Sequence, residues 1–243
     1  MNILVIGDIC LDRYIIGEVI RQNPEAPAPL LTKREVKELF GMTANVARNL
    51  EALGANVELR VPAEVSIKER FVDRRTGTQL LRVDHDEVST PLFRDAKPVH
   101  LEYDAIVVCD YMKGAVTSEL IAYFDKHANC PVFLDTKKKE LPFLEHTFVK
   151  LNAIETDALR TPRPLHLITT RGAEGAEYFG CHYSAPRVQL ADPCGAGDTF
   201  IAALAVHYVK YQNMPLAIPF ANKAASITVQ HMGVYAPKPE EIW

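Results

Sequence analysis

Four short apolar runs, each closing on polar residues, constrain the fold of this chain more than any other feature. "NILVIGD", "YDAIVVCD", "CPVFLD" and "HLITTRG" are rich in β-branched and large apolar residues and have strand length. Helical patterns lie between them. "TANVARNLEALGA" places Val46, Ala47, Leu50 and Leu53 on one face, with Thr43 as the expected N-cap and Gly54 as the stop. "TSELIAYFDKHA" is a second helix. This rhythm predicts an α/β fold, a mostly parallel sheet covered by helices on both faces. Ligands gather at the carboxyl ends of such strands, where Asp8, Asp110, Asp135 and Thr170 fall.

Two segments break the rhythm. Tyr14 to Phe40 carries Pro24, Pro27 and Pro29 and excludes a central strand or a helix. "KERFVDRRTGTQLLRVDHD" alternates around Thr76-Gly77 and predicts a hairpin. Residues 14–40 and 67–85 are therefore expected to form a small β lid on a single domain spanning residues 1–243. A net charge of -4 gives no reason to expect nucleic acid or an anionic membrane as partner. No apolar run approaches the ~20 residues of a membrane helix. Five scattered cysteines without metal-ligand spacing fit a reduced, cytoplasmic protein.

Chemistry concentrates in "DPCGAGDTF", which opens a long helical run. A helix N-terminus exposes unpaired amides and the positive end of its dipole. Gly195, Ala196 and Gly197 are a credible hole for a phosphoryl group, and Asp198 beside them is a credible base for an incoming hydroxyl. A bare acidic N-cap region is the competing explanation of the same residues.

The loop does not stand alone. "DPCGAGDTF" resembles the late signature of the ribokinase-like sugar kinases, which implies that Asp198 is the catalytic base and that the amides of residues 195–198 bind the phosphoryl. "GDICLD" is similar to the family's first strand end, implying that Asp12 holds sugar hydroxyls. "FGMTANVARNLEALGA" resembles the early glycine signature and implies sugar contacts at Gly41 and Asn45. "LNAIE" implies that Asn152 and Glu155 organise magnesium through water and nucleotide phosphate. "TTRGAEG" implies ATP contacts at Thr170, Gly172 and Gly175, and "FANKAASITVQHMG" points to Asn222 near the adenine. Lys137, two residues beyond Asp135, is a further candidate for nucleotide phosphate, although a lysine run is more often simply solvated. The resemblance leaves room for a monovalent cation.

"GDICLDRY", "RQNPEAPAPLL", "IKERFV", "QLLRVD" and "CDYMKGAV" narrow the resemblance to heptose 7-phosphate kinases of lipopolysaccharide-precursor synthesis. A substrate that already bears phosphate needs cations, and Arg13, Arg21, Lys68, Arg70 and Arg82 lie in the lid-like segments. Two departures stand out. Met42 occupies a position where the family usually has glycine, and the chain passes almost directly from "LGANVELRVPAEV" to the lid hairpin. The expectation is a trimmed, ATP- and magnesium-dependent kinase acting on the anomeric hydroxyl of D-glycero-D-manno-heptose 7-phosphate, homodimeric through its lid. The alternatives are a kinase for another sugar, sugar phosphate or nucleoside, and a non-catalytic sugar-binding protein of the same fold. A nicotinamide dehydrogenase is excluded, because "GDICLD" lacks the G-x-G-x-x-G turn.

Overall fold

A computed structural model describes residues 1–92 and 102–242. The chain begins with β1 (Asn2–Gly7), β2 (Ile9–Gln22), β3 (Pro29–Met42), α1 (Thr43–Ala52), β4 (Asn56–Arg60), β5 (Ser66–Asp73) and β6 (Gln79–His85). It continues with β7 (Ala105–Asp110), α2 (Ser118–His127), β8 (Val132–Thr136), β9 (Phe148–Asn152), α3 (Ala153–Asp157), β10 (His166–Thr170), β11 (Ala176–Tyr178) and β12 (Cys181–Tyr183). It closes with α4 (Ala196–Tyr211), α5 (Met214–Thr228) and α6 (Pro239–Ile242).

The main sheet has eight strands in the order β12-β11-β10-β9-β8-β7-β1-β4. It is parallel from β4 to β10 and antiparallel at β11 and β12. Successive residues of a strand face opposite sides, so strands buried on both faces must be apolar throughout. Ile3, Val5, Val107 and Phe133 pack with α1, α4 and α5 on one side. Leu4, Ile6, Ile106, Val108 and Leu134 pack with α2 on the other. Helices therefore cover both faces, as the sequence pattern predicts.

The lid is a separate sheet of four strands in the order β3-β2-β5-β6. The prolines explain its shape. Pro24 and Pro27 fall between β2 and β3, and Pro29 starts the edge strand, so the proline-free residues before them form an inner strand of the lid. The segment expected to be without a central strand thus contributes most of one, because its prolines are confined to the turn and the edge. The hairpin at Gly77, with φ 71°, lies between β5 and β6 as expected.

The N-cap of α1 is Met42 and not Thr43. Thr43 is already helical, and its hydroxyl donates to the Asp8 carbonyl at 2.5 Å. Met42 holds φ 55° and is buried, an unfavourable backbone for a side-chain-bearing residue. Gly54, with φ 87°, follows the helix as its stop.

The chain leaves the main sheet for the lid at Gly7. A methyl group there would lie 2.0 Å from the Cys109 carbonyl oxygen of the neighbouring strand. A methyl group at Gly54 would meet nothing within 4 Å. Gly54→Ala should therefore cost only the left-handed penalty, about 1–2 kcal/mol. Gly7→Ala must push neighbouring central strands apart and should cost about 3 kcal/mol or more. Urea unfolding midpoints of the two variants check this order.

Candidate active site

The site begins at the start of α4. Gly195 caps the helix with φ 80°, and Thr199 N–H donates to its carbonyl at 2.9 Å. Ala196 N–H turns to the Pro193 carbonyl at 3.3 Å, which leaves Gly195, Gly197 and Asp198 to supply the loop's amides. Asp192 holds the loop from below, accepting Cys194 N–H at 2.9 Å and Gly233 N–H at 2.9 Å.

Asp198 lies in the first turn of α4. Asn45 Nδ2 donates to its Oδ2 at 2.7 Å, and the Tyr111 hydroxyl donates to its Oδ1. Burial pushes the Asp198 carboxyl above the ordinary carboxylate range, while these two donors pull it down. Asn45 cannot flip its amide, because Arg48 donates to its Oδ1 at 3.0 Å and also to the Phe40 carbonyl at 2.8 Å. Arg48 is thus a site residue that the motifs did not indicate. So is Tyr111. Its N–H donates to Asp8 Oδ2 at 2.8 Å, Lys113 and Ala115 donate to the same carboxylate, and Lys137 Nζ lies 5.2 Å from the Tyr111 ring centre.

Asn45 apart, the candidate sugar contacts lie on the lid. Asp12 is buried and pairs with Arg70, whose guanidinium also lies 5.2 Å over the Tyr14 ring. A methyl group at Gly41 would sit 2.2 Å from Asp12 Oδ2, so this glycine is required by the carboxylate beside it. Lys68 stands between Asp12 and Asp84 in the strand register. Arg82 pairs with Asp84 at 2.5 Å. Two expected substrate cations are misplaced. Arg13 follows Asp12 in an extended strand, so it points to the opposite face of the lid, where it pairs with Glu38 at 2.6 Å and Glu69 at 2.9 Å. Arg21 lies exposed at the far end of β2.

The nucleotide-side candidates line the carboxyl ends of β9 and β10. Asn152 and Glu155 form a capping box: Glu155 N–H donates to Asn152 Oδ1 at 2.9 Å, and Asn152 N–H donates to Glu155 Oε2 at 2.8 Å. Thr170 ends β10, and its hydroxyl donates to the Leu151 carbonyl at 3.4 Å. Gly172 and Gly175 have φ 57° and 103°, and a methyl group at Gly175 would lie 2.1 Å from the Tyr183 carbonyl oxygen. Asn222 is buried in α5 and donates to that same carbonyl at 2.8 Å, fastening the edge hairpin to the helix. Among the described residues, no group of three or more His, Cys, Asp or Glu side chains could hold a metal ion.

A glycine-loop helix N-terminus with an aspartate in its first turn, facing a lid that carries a buried carboxylate and cations, fits a sugar phosphotransferase. The chain belongs to the pfkB family of carbohydrate kinases, whose pattern it matches over residues 68–241. It is 29% identical over 299 aligned positions to the bifunctional protein HldE of Salmonella dublin, covering 99% of this chain. The same figures hold for the protein of that name in Salmonella newport. The chain spans 62% of the length of these relatives. Its fold is that of ribokinase from Thermotoga maritima, with TM-score 0.67, 17% identity and coverage of 99% of this chain and 97% of the other. Arabidopsis thaliana ribokinase complexed with ribose and ATP gives TM-score 0.72, 19% identity and coverage of 99% and 96%.

Gly41→Ala should expel the Asp12 carboxylate from its place while leaving the glycine loop intact. The loss of one charged hydrogen bond is about 1.5–3 kcal/mol, roughly ten- to hundredfold in binding. Steady-state kinetics should show the sugar KM raised by that factor and the ATP KM nearly unchanged.

Proposed function

We propose that this carbohydrate kinase transfers the γ-phosphoryl of ATP to the anomeric hydroxyl of D-glycero-D-manno-heptose 7-phosphate. The observation that carries the reading is Asp198, held by Asn45 and Tyr111 at the mouth of the glycine loop. Its partners fix the carboxylate and favour its ionised form, the form that accepts a proton. Asp12 accepts sugar hydroxyls and so orients the acceptor. The amides of Gly195, Gly197 and Asp198, at the positive end of α4, stabilise the charge of the transferring phosphoryl. Asp198 takes the proton of the attacking hydroxyl as the oxygen–phosphorus bond forms.

Magnesium binds through few protein atoms and keeps waters and phosphates as ligands, which suits a site with the Asn152–Glu155 pair and, among the described residues, no carboxylate cage. When bound it neutralises phosphate charge. Lys137 contributes a cation on the same side.

The heptose phosphate is supported by the resemblance of "NPEAPAPLL" and its companion segments, and by Lys68 and Arg70 on the sugar face of the lid. A phosphate contact to a charged donor is worth about 1.5–3 kcal/mol. Heptose 7-phosphate should therefore exceed free heptose in kcat/KM by roughly tenfold or more. Lys68→Ala should erase much of that preference with little change on the free sugar. Equal efficiency on both sugars in the wild type would move the assignment to another sugar or a nucleoside.

Asp198→Asn should lose ~10²–10⁴-fold in turnover. Its stability should move the other way. A carboxyl whose folded pKa is raised favours the fold below its unfolded pKa, and that contribution is lost as pH rises through the folded value. A neutral amide removes this loss, and Tyr111 can turn its hydroxyl to accept. The variant should melt no lower than wild type at pH 7 in calorimetry. A wild-type turnover rate would remove Asp198 from the mechanism.

The lid supports a homodimer. Val36, Ile15, Phe71 and Leu81 align across its four strands on the face opposite Asp12, and Val36 and Leu81 are each 56% exposed. Pairing two lids would cover this apolar row and protect the edge strands. Sedimentation should show a dimer, and Val36→Glu with Leu81→Glu should yield monomers. The five free cysteines fit a reduced compartment such as the cytoplasm.

A further inference from the structure

Lys150 is a lysine in the middle of the main sheet. It lies in β9, is only 7% exposed, and pairs with Asp135 Oδ2 at 2.8 Å. An isolated buried ammonium is costly, and such a pair adds little to stability against apolar residues of the same size. Its place is informative. A methyl group at Gly197 would lie 3.0 Å from Lys150 Nζ, so the ammonium lies directly against the second glycine of the phosphoryl loop.

The register explains the meeting. Asp135 lies beside Cys109 on one side and Lys150 on the other, at the sheet end where α4 begins. Asp135 lies close enough to Asp198 to raise its proton affinity. Two neighbouring carboxylates raise each other's proton affinity, and a base that is protonated cannot accept a proton.

We propose that Lys150 is a positioning residue for phosphoryl transfer: its ammonium neutralises Asp135 beneath the glycine loop, so that Asp198 keeps its charge and the phosphoryl hole stays positive. The other groups facing Asp198 do not do this work. Tyr111 and Asn45 hydrogen-bond its two oxygens, Arg48 acts through Asn45, and Cys109 and Cys194 are thiols that burial pushes up into their neutral form. The ammonium itself is held in place by Asp135 Oδ2 at 2.8 Å.

The role rests on Asp198 as the base, and it can be measured without knowing the sugar. Protein labelled with ¹³C-aspartate is titrated by NMR, and the Asp198 carboxyl signal is identified by its absence in Asp198→Asn. Lys150→Met should move the Asp198 titration up by about one pH unit or more. Asp135→Asn should move it down, and the double variant should return it close to wild type. Should Lys150→Met alone fail to fold, Asp135→Asn against the double variant isolates the same ammonium. Coincident Asp198 titrations in either comparison overturn the proposal. In the ADP-release assay with heptose 7-phosphate, the acid limb of kcat/KM should follow the same order. A large pH-independent loss in the double variant would overturn it too, because Lys150 would then act on the phosphoryl directly. No turnover on this sugar in the wild type would count against the substrate and leave the NMR comparison standing.

Discussion

The site hangs on one buried residue, Asp8. Its carboxylate accepts three backbone N–H groups, from Tyr111, Lys113 and Ala115, at 2.8, 3.1 and 3.0 Å. Its carbonyl accepts both the N–H and the hydroxyl of Thr43, the first residue of α1. One residue therefore fixes the loop that brings Tyr111 and the helix that brings Asn45. Those are the two donors on Asp198. Burial raises the Asp8 carboxyl despite its amide partners, so the pin is held at an electrostatic cost.

Similar costs accumulate at this end of the sheet. Asp110 is buried and accepts from Thr136 at 2.6 Å and pairs with Lys138 at 3.0 Å. Lys150 and Asp135 pair beside them, and Asp198 faces the opening. The opposite end of the same strands has its own carboxylate, Asp125, which accepts from the amides of Glu145, His146 and Thr147 just before β9. Stability comes from the two cores, and the charged end spends some of it to keep groups in states that water would not choose.

The local motifs were legible in the sequence because each is short and self-contained. The glycine loop, Asp198, Gly41 and Asn45 all lie within a few residues of the signature that marks them, and the structure brings them together. Tyr111 and Lys150 were not legible, since their roles come from strand register and helix packing between residues far apart in the chain, whereas Arg48 lies one helical turn from Asn45 and was within reach of a local reading. Lys150 did leave a trace: a lysine inside an otherwise apolar strand, "FVKLN", asks for a partner. Arg13 shows the converse. Its type suits phosphate, but the two-residue period of a strand, counted from Asp12, already turns it away.

Three glycines carry the imprint of these constraints. At Gly7 the missing methyl group makes room for a neighbouring carbonyl and at Gly41 for the Asp12 carboxylate, and at Gly197 the Lys150 ammonium lies close by. Neither Gly41 nor Gly197 has the positive φ for which glycine is usually kept. Both lie against a charged atom of another segment. A glycine of this kind is a statement about its neighbour: the loop and the early signature are each shaped around a nearby charge.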